Sequence, residues 1–177
     1  YELLWKKHYN LDPELMDELQ NQIPGYSMRM HEVTAAMLTP QIDRLSVIHK
    51  IHTENYMRLE SIIGDHPNIE VPAKMEKADR FYDTMQFHVT GLSREKADRF
   101  IDLMKMEGIP MQIFGAKRNA RDYRQWTYVA AHKEVMPETI ANIEFACDLS
   151  MQPHLTLDNI EVMGRVIREV MDFVVAE

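Results

Sequence analysis

The sequence predicts an α+β domain in which helices cover one face of a three-stranded sheet and a long helix leads into it. Beyond residue 80, three short apolar segments of strand character alternate with amphipathic helical segments. Ahead of them, apolar residues recur at helical spacing from Ile42 to Ile63, on one face of a single long helix. The predicted order is long helix, strand, helix, strand, helix, strand, helix, which is typical of an α+β sandwich.

The long helix is predicted to begin at Thr39-Pro40 and to end near Gly64. The hydroxyl of Thr39 can accept a backbone hydrogen bond as an N-cap, and Pro40 suits a first turn because its missing N–H is not needed there. A shorter helical pattern from His31 to Leu38 precedes it. Since a domain of this size cannot cover so long a helix, we expect it to reach another domain or another subunit.

Turn and cap residues divide the rest of the chain. The three strands are predicted within 81–90, 109–115 and 148–152. Ser93 and Thr156 can serve as N-caps of the helices that follow them. Gly108 suits a helix end, and Pro137 suits the first turn of a helix that carries Cys147 on its apolar side. Residues 116–135 are predicted to be irregular.

Composition narrows the class of protein. The 177 residues carry a formal net charge of -8, which disfavours nucleic acid and anionic membrane as partners. No apolar run approaches the roughly 18 residues that cross a bilayer. A single cysteine, Cys147, suits a reducing cytoplasm and is predicted to be a core residue rather than a nucleophile. The chain starts at Tyr1 within a helical pattern, so we expect a fragment of a longer protein.

Common self-contained nucleotide and metal motifs are absent from the sequence. It contains no G-x-G-x-x-G, no phosphate-binding G-x-x-x-x-G-K-S/T, no H-E-x-x-H and no C-x-x-C. His49 and His52 lie three residues apart on the predicted long helix, but two histidines are an incomplete metal site. We therefore predict no metal site, with one of these histidines packed and the other solvated.

The first candidate site is the stretch "GYSMRMHEVTAA" at 25–36. Ser27 offers a hydroxyl and nearby backbone N–H groups ahead of a helix, which is a natural position for an anion. Arg29 adds a planar cation suited to phosphate or carboxylate. In the alternative interpretation Ser27 only caps the helix and Arg29 pairs with Glu32.

The second candidate site is "FGAKRNARDYRQW" at 114–126, the one concentrated basic segment of an acidic chain. Its cations are Lys117, Arg118, Arg121 and Arg124. Tyr123 and Trp126 lie among them in sequence, so the segment could hold an anionic, ring-shaped small molecule. The alternative is a solvated loop with its aromatic side chains packed underneath.

Several of these strings resemble the DegT/StrS-type sugar aminotransferases. "GYSMRMHEVTAA" resembles that family's G-Y-N-x-R-M-x-E stretch, "MEGIPMQIFG" one of its strands, and "CDLSMQPHLTLDNIEVMGRVIREVM" its closing segment. The resemblance runs from about residue 20 to the end in family order. It implies the small C-terminal domain of fold-type I transferases that depend on pyridoxal phosphate (PLP).

The resemblance also implies a division of the chain. Residues 1–38 would end the large cofactor domain and include an interface loop, 39–64 would form the connecting helix, and 65–177 would form the small domain. Ser27 and Arg29 would contact the PLP phosphate of the neighbouring subunit in a homodimer. The lysine that binds the cofactor would lie upstream, so this fragment is expected to be inactive alone.

By the same resemblance, the complete protein would transfer an amino group from glutamate to a keto-sugar. Three positions depart from the family pattern: Ser27 replaces an asparagine, and Phe114 and Gln152 replace histidines. These departures, with the basic segment, favour an anionic substrate such as a phosphorylated or acidic keto-sugar. Two alternatives stay open: a non-catalytic binding or dimerisation module, and a PLP-dependent sugar dehydratase.

Overall fold

A computed structural model describes residues 30–116, 119, 122–126 and 136–177. Within these ranges the helices are α1 (Glu32–Ile42), α2 (Leu45–Ile63), α3 (Arg94–Met106), α4 (Pro137–Phe145) and α5 (Leu157–Ala176). The strands are β1 (Ile69–Glu70), β2 (Thr84–Val89), β3 (Gln112–Ile113) and β4 (Ala146–Ser150). A single 3-10 turn spans Tyr123–Gln125. The predicted α+β class is confirmed.

The strands form one antiparallel sheet in the order β1-β2-β4-β3. Cys147 of β4 lies opposite Phe87 on one side and Ile113 on the other, so β4 is an interior strand. The prediction of three strands was one short. The additional strand, β1, has only two residues, and it is defined by its pairing with Val89 and His88 rather than by any alternation of its own.

The hydrophobic core lies between one face of this sheet and the helices α2, α3 and α5. Alternate residues of β2, Met85, Phe87 and Val89, are buried there. The helices contribute Tyr56, Leu59 and Ile63, then Ala97, Phe100 and Met104, then Ile160, Ile167, Met171 and Val174. Each large apolar side chain stabilises the fold by about 1.5–3 kcal/mol when fully buried.

The long helix differs from its prediction. Pro40 lies inside α1, and the chain breaks at 43–44 before α2 begins at Leu45. Thr39 does not cap a helix, because its hydroxyl donates to the Ala35 carbonyl within α1 at 2.9 Å. The predicted start was wrong because a proline in the last turn of a helix removes only one hydrogen bond. No residue of α1 is buried, and the burial of α2 begins at His52.

Four other predicted helix-end residues agree with the structure. Ser93 accepts a hydrogen bond from the Lys96 N–H as the N-cap of α3. Thr156 and Asn159 form a reciprocal capping box at the start of α5. Gly108 follows α3 with a left-handed φ of 78°, a conformation that glycine adopts at little cost. Pro137 is the first residue of α4.

The C-terminal strand begins earlier than predicted. β4 starts at Ala146 directly after α4, so Cys147 is a core residue of a strand and not of a helix. Helix α4 buries no residue, and its Asn142 carbonyl lies 3.1 Å from the His88 ring. Because His88 alternates with the core-facing residues of β2, α4 lies on the side of the sheet away from the core.

In the described parts of the chain, no helix is both long enough and apolar enough to cross a bilayer. The boundaries predicted at 38 and 64, and the division of roles between the three segments, stay predictions. The structure places α1 and the first turns of α2 outside the core, which is where a further domain or subunit is expected to contact them.

Candidate functional site

The first predicted site lies mostly outside the described residues. Ser27 and Arg29 both fall there, and their role at a cofactor phosphate stays a prediction. Helix α1 is capped instead by His31, whose Nδ1 accepts the Val33 N–H at 3.2 Å. The alternative, in which Ser27 caps a helix and Arg29 pairs with Glu32, also falls on residues outside the described ranges and stays a prediction.

The second predicted site is described in part. Lys117, Arg118 and Arg121 lie outside the described residues, whereas Tyr123, Arg124 and Trp126 are half-buried. The binding role of all six stays a prediction.

Successive backbone hydrogen bonds connect the described residues of the basic segment to one another. The Asn119 N–H donates to the Ala116 carbonyl at 2.9 Å, and the Asp122 N–H donates to the Asn119 carbonyl at 3.0 Å. The buried Asn119 amide also donates to the carbonyl of Ile113, the last residue of β3, at 3.0 Å. A buried amide and a buried carboxylate need such partners, so Asn119 and Asp122 anchor the segment to the end of the sheet.

The buried Asp122 carboxylate binds the Arg124 guanidinium. Its Nε and Nη2 lie 3.0 and 2.8 Å from Oδ1 and Oδ2, so the pair is bidentate. Asp122 Oδ1 also accepts the Arg124 backbone N–H at 3.0 Å. The Asp122 side chain is only 3% exposed. These hydrogen bonds raise the pKa of Arg124 above its usual value, so the guanidinium stays charged.

A second carboxylate meets Arg124 from the solvent side. Glu144 Oε1 lies 3.3 Å from Arg124 Nη1, and the Glu144 side chain is 42% exposed. The two carboxylates therefore differ in kind: Asp122 is buried and bidentate, whereas Glu144 is exposed and makes one long contact.

Arg94 approaches the same place from α3. Its Nη1 donates to the Glu144 backbone carbonyl at 3.0 Å, and its Nε donates to Asp98 at 3.0 Å. Gly115 also packs there, and a Cβ at this position would lie 2.9 Å from the Glu144 Cα. Glycine is therefore required for this close approach.

These groups border a pocket of about 780 Å³. Its described lining comprises Arg94, Asp98, Gly115, Ala116, Asp122, Arg124, Glu144 and Phe145. The arrangement presents two oriented guanidinium groups, each with a carboxylate partner, beside a third carboxylate that is open to solvent. Chemically it can bind a polar or charged group of a small molecule.

Sequence reasoning found Arg124 but missed Arg94 and Glu144. The spacing of Arg94 and Asp98 is visible as an i,i+4 ion pair on α3. Glu144 lies near the end of α4, which closes one residue later at Phe145, and its side chain reaches the pocket from there. No local signal joins these segments, since they are distant in sequence and come together only in the folded domain.

The sheet face away from the helical core carries a buried carboxylate. Asp148 of β4 lies between its cross-strand neighbours Gln86 and Gln112, whose amides are 3.4 and 3.3 Å away. Asp148 is buried although it points away from the helical core. This face is therefore a polar layer rather than a second hydrophobic surface.

The two histidines of α2 serve packing and hydrogen bonding. The His49 ring nitrogen Nε2 lies 2.9 Å from the Arg80 carbonyl, while His52 is buried against the Phe81 ring. In the described ranges, no three histidine, cysteine, aspartate or glutamate side chains are grouped so that they could hold a metal ion.

A strained residue directly follows Phe81 in the chain. Tyr82 has a φ of 58°, in the left-handed region that is costly for a non-glycine residue. Its ring lies 4.5 Å from the ring of Tyr56, and the Arg80 guanidinium covers both rings at 5.6 and 5.8 Å. Burial raises the pKa of Tyr56. This packing holds the strained backbone in place.

A comparison with protein families decides which family the chain belongs to. The profile of the DegT/DnrJ/EryC1/StrS aminotransferase family matches residues 6–168. The chain belongs to this family. The resemblance stated from the sequence is thereby confirmed, and with it the cofactor, because aminotransferases of the DegT/StrS type depend on PLP.

Solved structures show the same fold. A protein described as a sugar aminotransferase, Spr1654 from Streptococcus pneumoniae, matches in its apo form with a TM-score of 0.72, 19% identity, and coverage of 94% of this chain and 46% of that one. PLP and PMP forms of it match as well. PseC of Helicobacter pylori, an aminotransferase involved in the biosynthesis of pseudoaminic acid, gives a TM-score of 0.69 at 11% identity, with 92% of this chain and 47% of that one covered.

The sugar aminotransferase CalS13 from Micromonospora echinospora gives a TM-score of 0.65 at 15% identity, with coverage of 82% of this chain and 37% of that one. A search of curated proteins finds no match to this DegT/StrS-family chain. The chain spans less than half the length of each of these solved aminotransferases.

Proposed function

We propose that the full-length protein is a PLP-dependent aminotransferase that moves an amino group from glutamate to a keto-sugar. The observation that carries this proposal is the family match over 6–168, and the shared fold with sugar aminotransferases supports it. When bound, PLP supplies the electron sink that such a transfer needs. The cofactor-binding lysine is expected upstream of this chain.

The part of the protein described here would supply the small domain and one side of a dimer. Ser27 and Arg29 are proposed to donate hydrogen bonds to the PLP phosphate of the neighbouring subunit. A serine hydroxyl and a guanidinium are both suitable donors to phosphate, so the residue types fit the group. The exposed, unburied surface of α1, three positions after Arg29, is compatible with an interface at this place.

The substrate is proposed to carry a negative charge. The support comes from the basic segment, whose Arg124 is charged, oriented and next to a pocket. The remaining predicted binding residues are Lys117, Arg118, Arg121, Tyr123 and Trp126. A cytoplasmic location and the lack of nucleic-acid or membrane partners stay predictions from the acidic composition and the single cysteine.

The test is an absorbance titration of the full-length protein with PLP, followed by glutamate. We expect a visible band on cofactor binding and its loss when glutamate donates its amino group. A protein that shows no band would contradict the proposal and favour a non-catalytic module. A band that glutamate leaves unchanged would contradict glutamate as the amino donor.

The role of Arg29 is tested in the same titration. Arg29→Ala is expected to weaken PLP retention about tenfold or more, because it removes a charge-assisted hydrogen bond to phosphate. Arg165→Ala, at an exposed position of α5, is the matched control and should retain PLP as the wild type does. Equal retention by both variants would show that Arg29 has no part in cofactor binding.

A further inference from the structure

The pocket beside Arg124 supports a specific binding mode. We propose that it binds the phosphate or carboxylate group of a small molecule on Arg124, and that the Glu144 side chain occupies this position until the anion displaces it. That the anion belongs to the substrate rests on the proposed function; that the pocket binds an anion does not.

Arg124 is oriented for this role before any ligand arrives. The buried Asp122 carboxylate holds the Nε and Nη2 edge of the guanidinium in a bidentate pair and also accepts the Arg124 backbone N–H. A guanidinium fixed on one edge loses little conformational freedom when its other edge binds a ligand. The side chain is nevertheless one-third exposed, at 33%, so a solute can reach it.

Glu144 is a replaceable partner. It makes a single contact of 3.3 Å to Nη1, and its side chain is 42% exposed. Exposed ion pairs of this kind contribute little free energy, whereas phosphate and carboxylate bind arginine through short, often bidentate hydrogen bonds. An incoming anion therefore gains more from Arg124 than Glu144 loses.

The exchange requires only a side-chain rotation. The backbone of Glu144 is fixed by the hydrogen bond from Arg94 to its carbonyl at 3.0 Å. The close approach of Gly115, whose N–H donates to the Ile143 carbonyl at 2.8 Å, holds it from the other side. The carboxylate itself is attached to nothing buried, so it can turn into solvent while the pocket keeps its shape.

The charge balance of the described pocket lining allows the exchange. Asp98 pairs with Arg94, and Asp122 pairs with Arg124, each at 3.0 Å or less. Glu144 is the third carboxylate of this lining. An anion that takes its place beside Arg124 carries the same sign of charge, so neither arginine loses its inner partner.

The test compares glucose 6-phosphate with glucose by calorimetric titration of the full-length, PLP-loaded protein. The two probes differ only in the phosphate, so their difference reports anion binding. Glu144→Gln is expected to tighten glucose 6-phosphate binding about twofold to fivefold, because it removes the competing charge. Glu161→Gln is the matched control: it neutralises an equally exposed carboxylate, paired with Arg58 at 2.7 Å, elsewhere on the surface.

Two further variants examine the arginine itself. Arg124→Gln is expected to weaken glucose 6-phosphate binding about tenfold or more and to leave glucose unaffected. Asp122→Asn is expected to weaken it as well, since the guanidinium loses its orienting partner. Circular dichroism at the titration temperature checks that each variant remains folded.

The outcomes separate this proposal from the proposed function. The proposed anion site is contradicted if Glu144→Gln weakens glucose 6-phosphate binding or leaves it unchanged. It is also contradicted if neither the wild type nor any variant binds glucose 6-phosphate more tightly than glucose. The absorbance titration with PLP and glutamate measures the proposed function separately, so each proposal can fail while the other succeeds. Where binding is seen, competition between glucose 6-phosphate and the keto-sugar identifies a substrate site, and inhibition without competition identifies a separate effector; both support anion binding.

Discussion

The side-chain amide of Asn55 donates to the backbone carbonyl of Leu155 at 3.0 Å, across 100 positions of sequence. Asn55 is buried on α2, and Leu155 lies in the loop that enters α5. The bond therefore joins α2 to the loop at the start of α5.

Removing this bond is expected to destabilise the domain. Asn55→Ala removes a buried amide and leaves the part-buried Leu155 carbonyl without this donor, which costs about 1–2 kcal/mol of the free energy of unfolding. Chemical denaturation measures the change. Asn142→Ala, at an exposed position of α4, is the control and should shift the midpoint by much less. Similar shifts in both variants would mean that the Asn55 bond contributes nothing specific.

The contact between α2 and α5 requires a glycine. A Cβ on Gly164 would lie 2.7 Å from Cγ2 and 3.0 Å from Cβ of Ile62. Gly164→Ala is expected to cost about 1–3 kcal/mol of stability through overpacking. In a double-mutant cycle, Ile62→Ala should make the Gly164→Ala change less destabilising, because it removes Cγ2, the nearest atom, and Cδ1, although Cβ remains. Additive effects of the two substitutions would contradict this account.

The capping box of α5 is expected to contribute measurably. Thr156→Ala removes the side-chain acceptor of the Asn159 N–H and should lower the free energy of unfolding by about 1 kcal/mol. Thr156→Ser keeps the hydroxyl and should retain most of the stability. Thermal denaturation of the three proteins gives the comparison, and a serine variant as unstable as the alanine variant would count against the cap.

Cys147 is expected to resist thiol reagents in the folded state. Burial raises the pKa of its thiol from an ordinary value of 9.0 to about 12, so the reactive thiolate is scarce at pH 8. Mass spectrometry of the peptide that contains Cys147 should show modification only after a denaturant is added. Rapid modification of the folded protein would contradict its burial.

The same shift predicts a pH dependence. Between pH 9 and about 12 the unfolded chain loses the thiol proton while the folded chain keeps it, so the free energy of unfolding falls as the pH rises through this range. Cys147→Ala removes this contribution and should show a smaller slope between the two pH values. An equal slope in the variant would assign the dependence to other groups.

Local chemistry made much of the fold predictable. The hydroxyls of Ser93 and Thr156 and the left-handed turn at Gly108 act within one turn of a helix, so the sequence alone indicates those helix ends. The start of the long helix was mispredicted at Pro40 because proline is compatible with two positions. It suits the first turn of a helix, and it is tolerated in a last turn, where only one backbone hydrogen bond is lost.

Features that arise from pairing over long distances were not predictable. β1 has only two residues, too few for any alternation, and it is defined by its pairing with β2, whereas β3 falls within the strand predicted at 109–115. The candidate site shows the same limit. Arg124 is recognisable because it lies in a basic segment. Its contact with Glu144, and the hydrogen bond from Arg94 to the Glu144 carbonyl, depend on how α3 and α4 pack at the end of the sheet.

The interior position of β4 affects how the domain folds during synthesis. β2 and β3 do not pair with each other. Each pairs with β4, so this part of the sheet cannot form until residues 146–150 have been synthesised. While the chain is still emerging from the ribosome, Phe87 and Met85 have neither β4 nor α5 to cover them. A nascent chain that stalls before Ala146 thus exposes the apolar residues of β2 to chaperones and proteases, and this core can form only after β4 and α5 have left the ribosome.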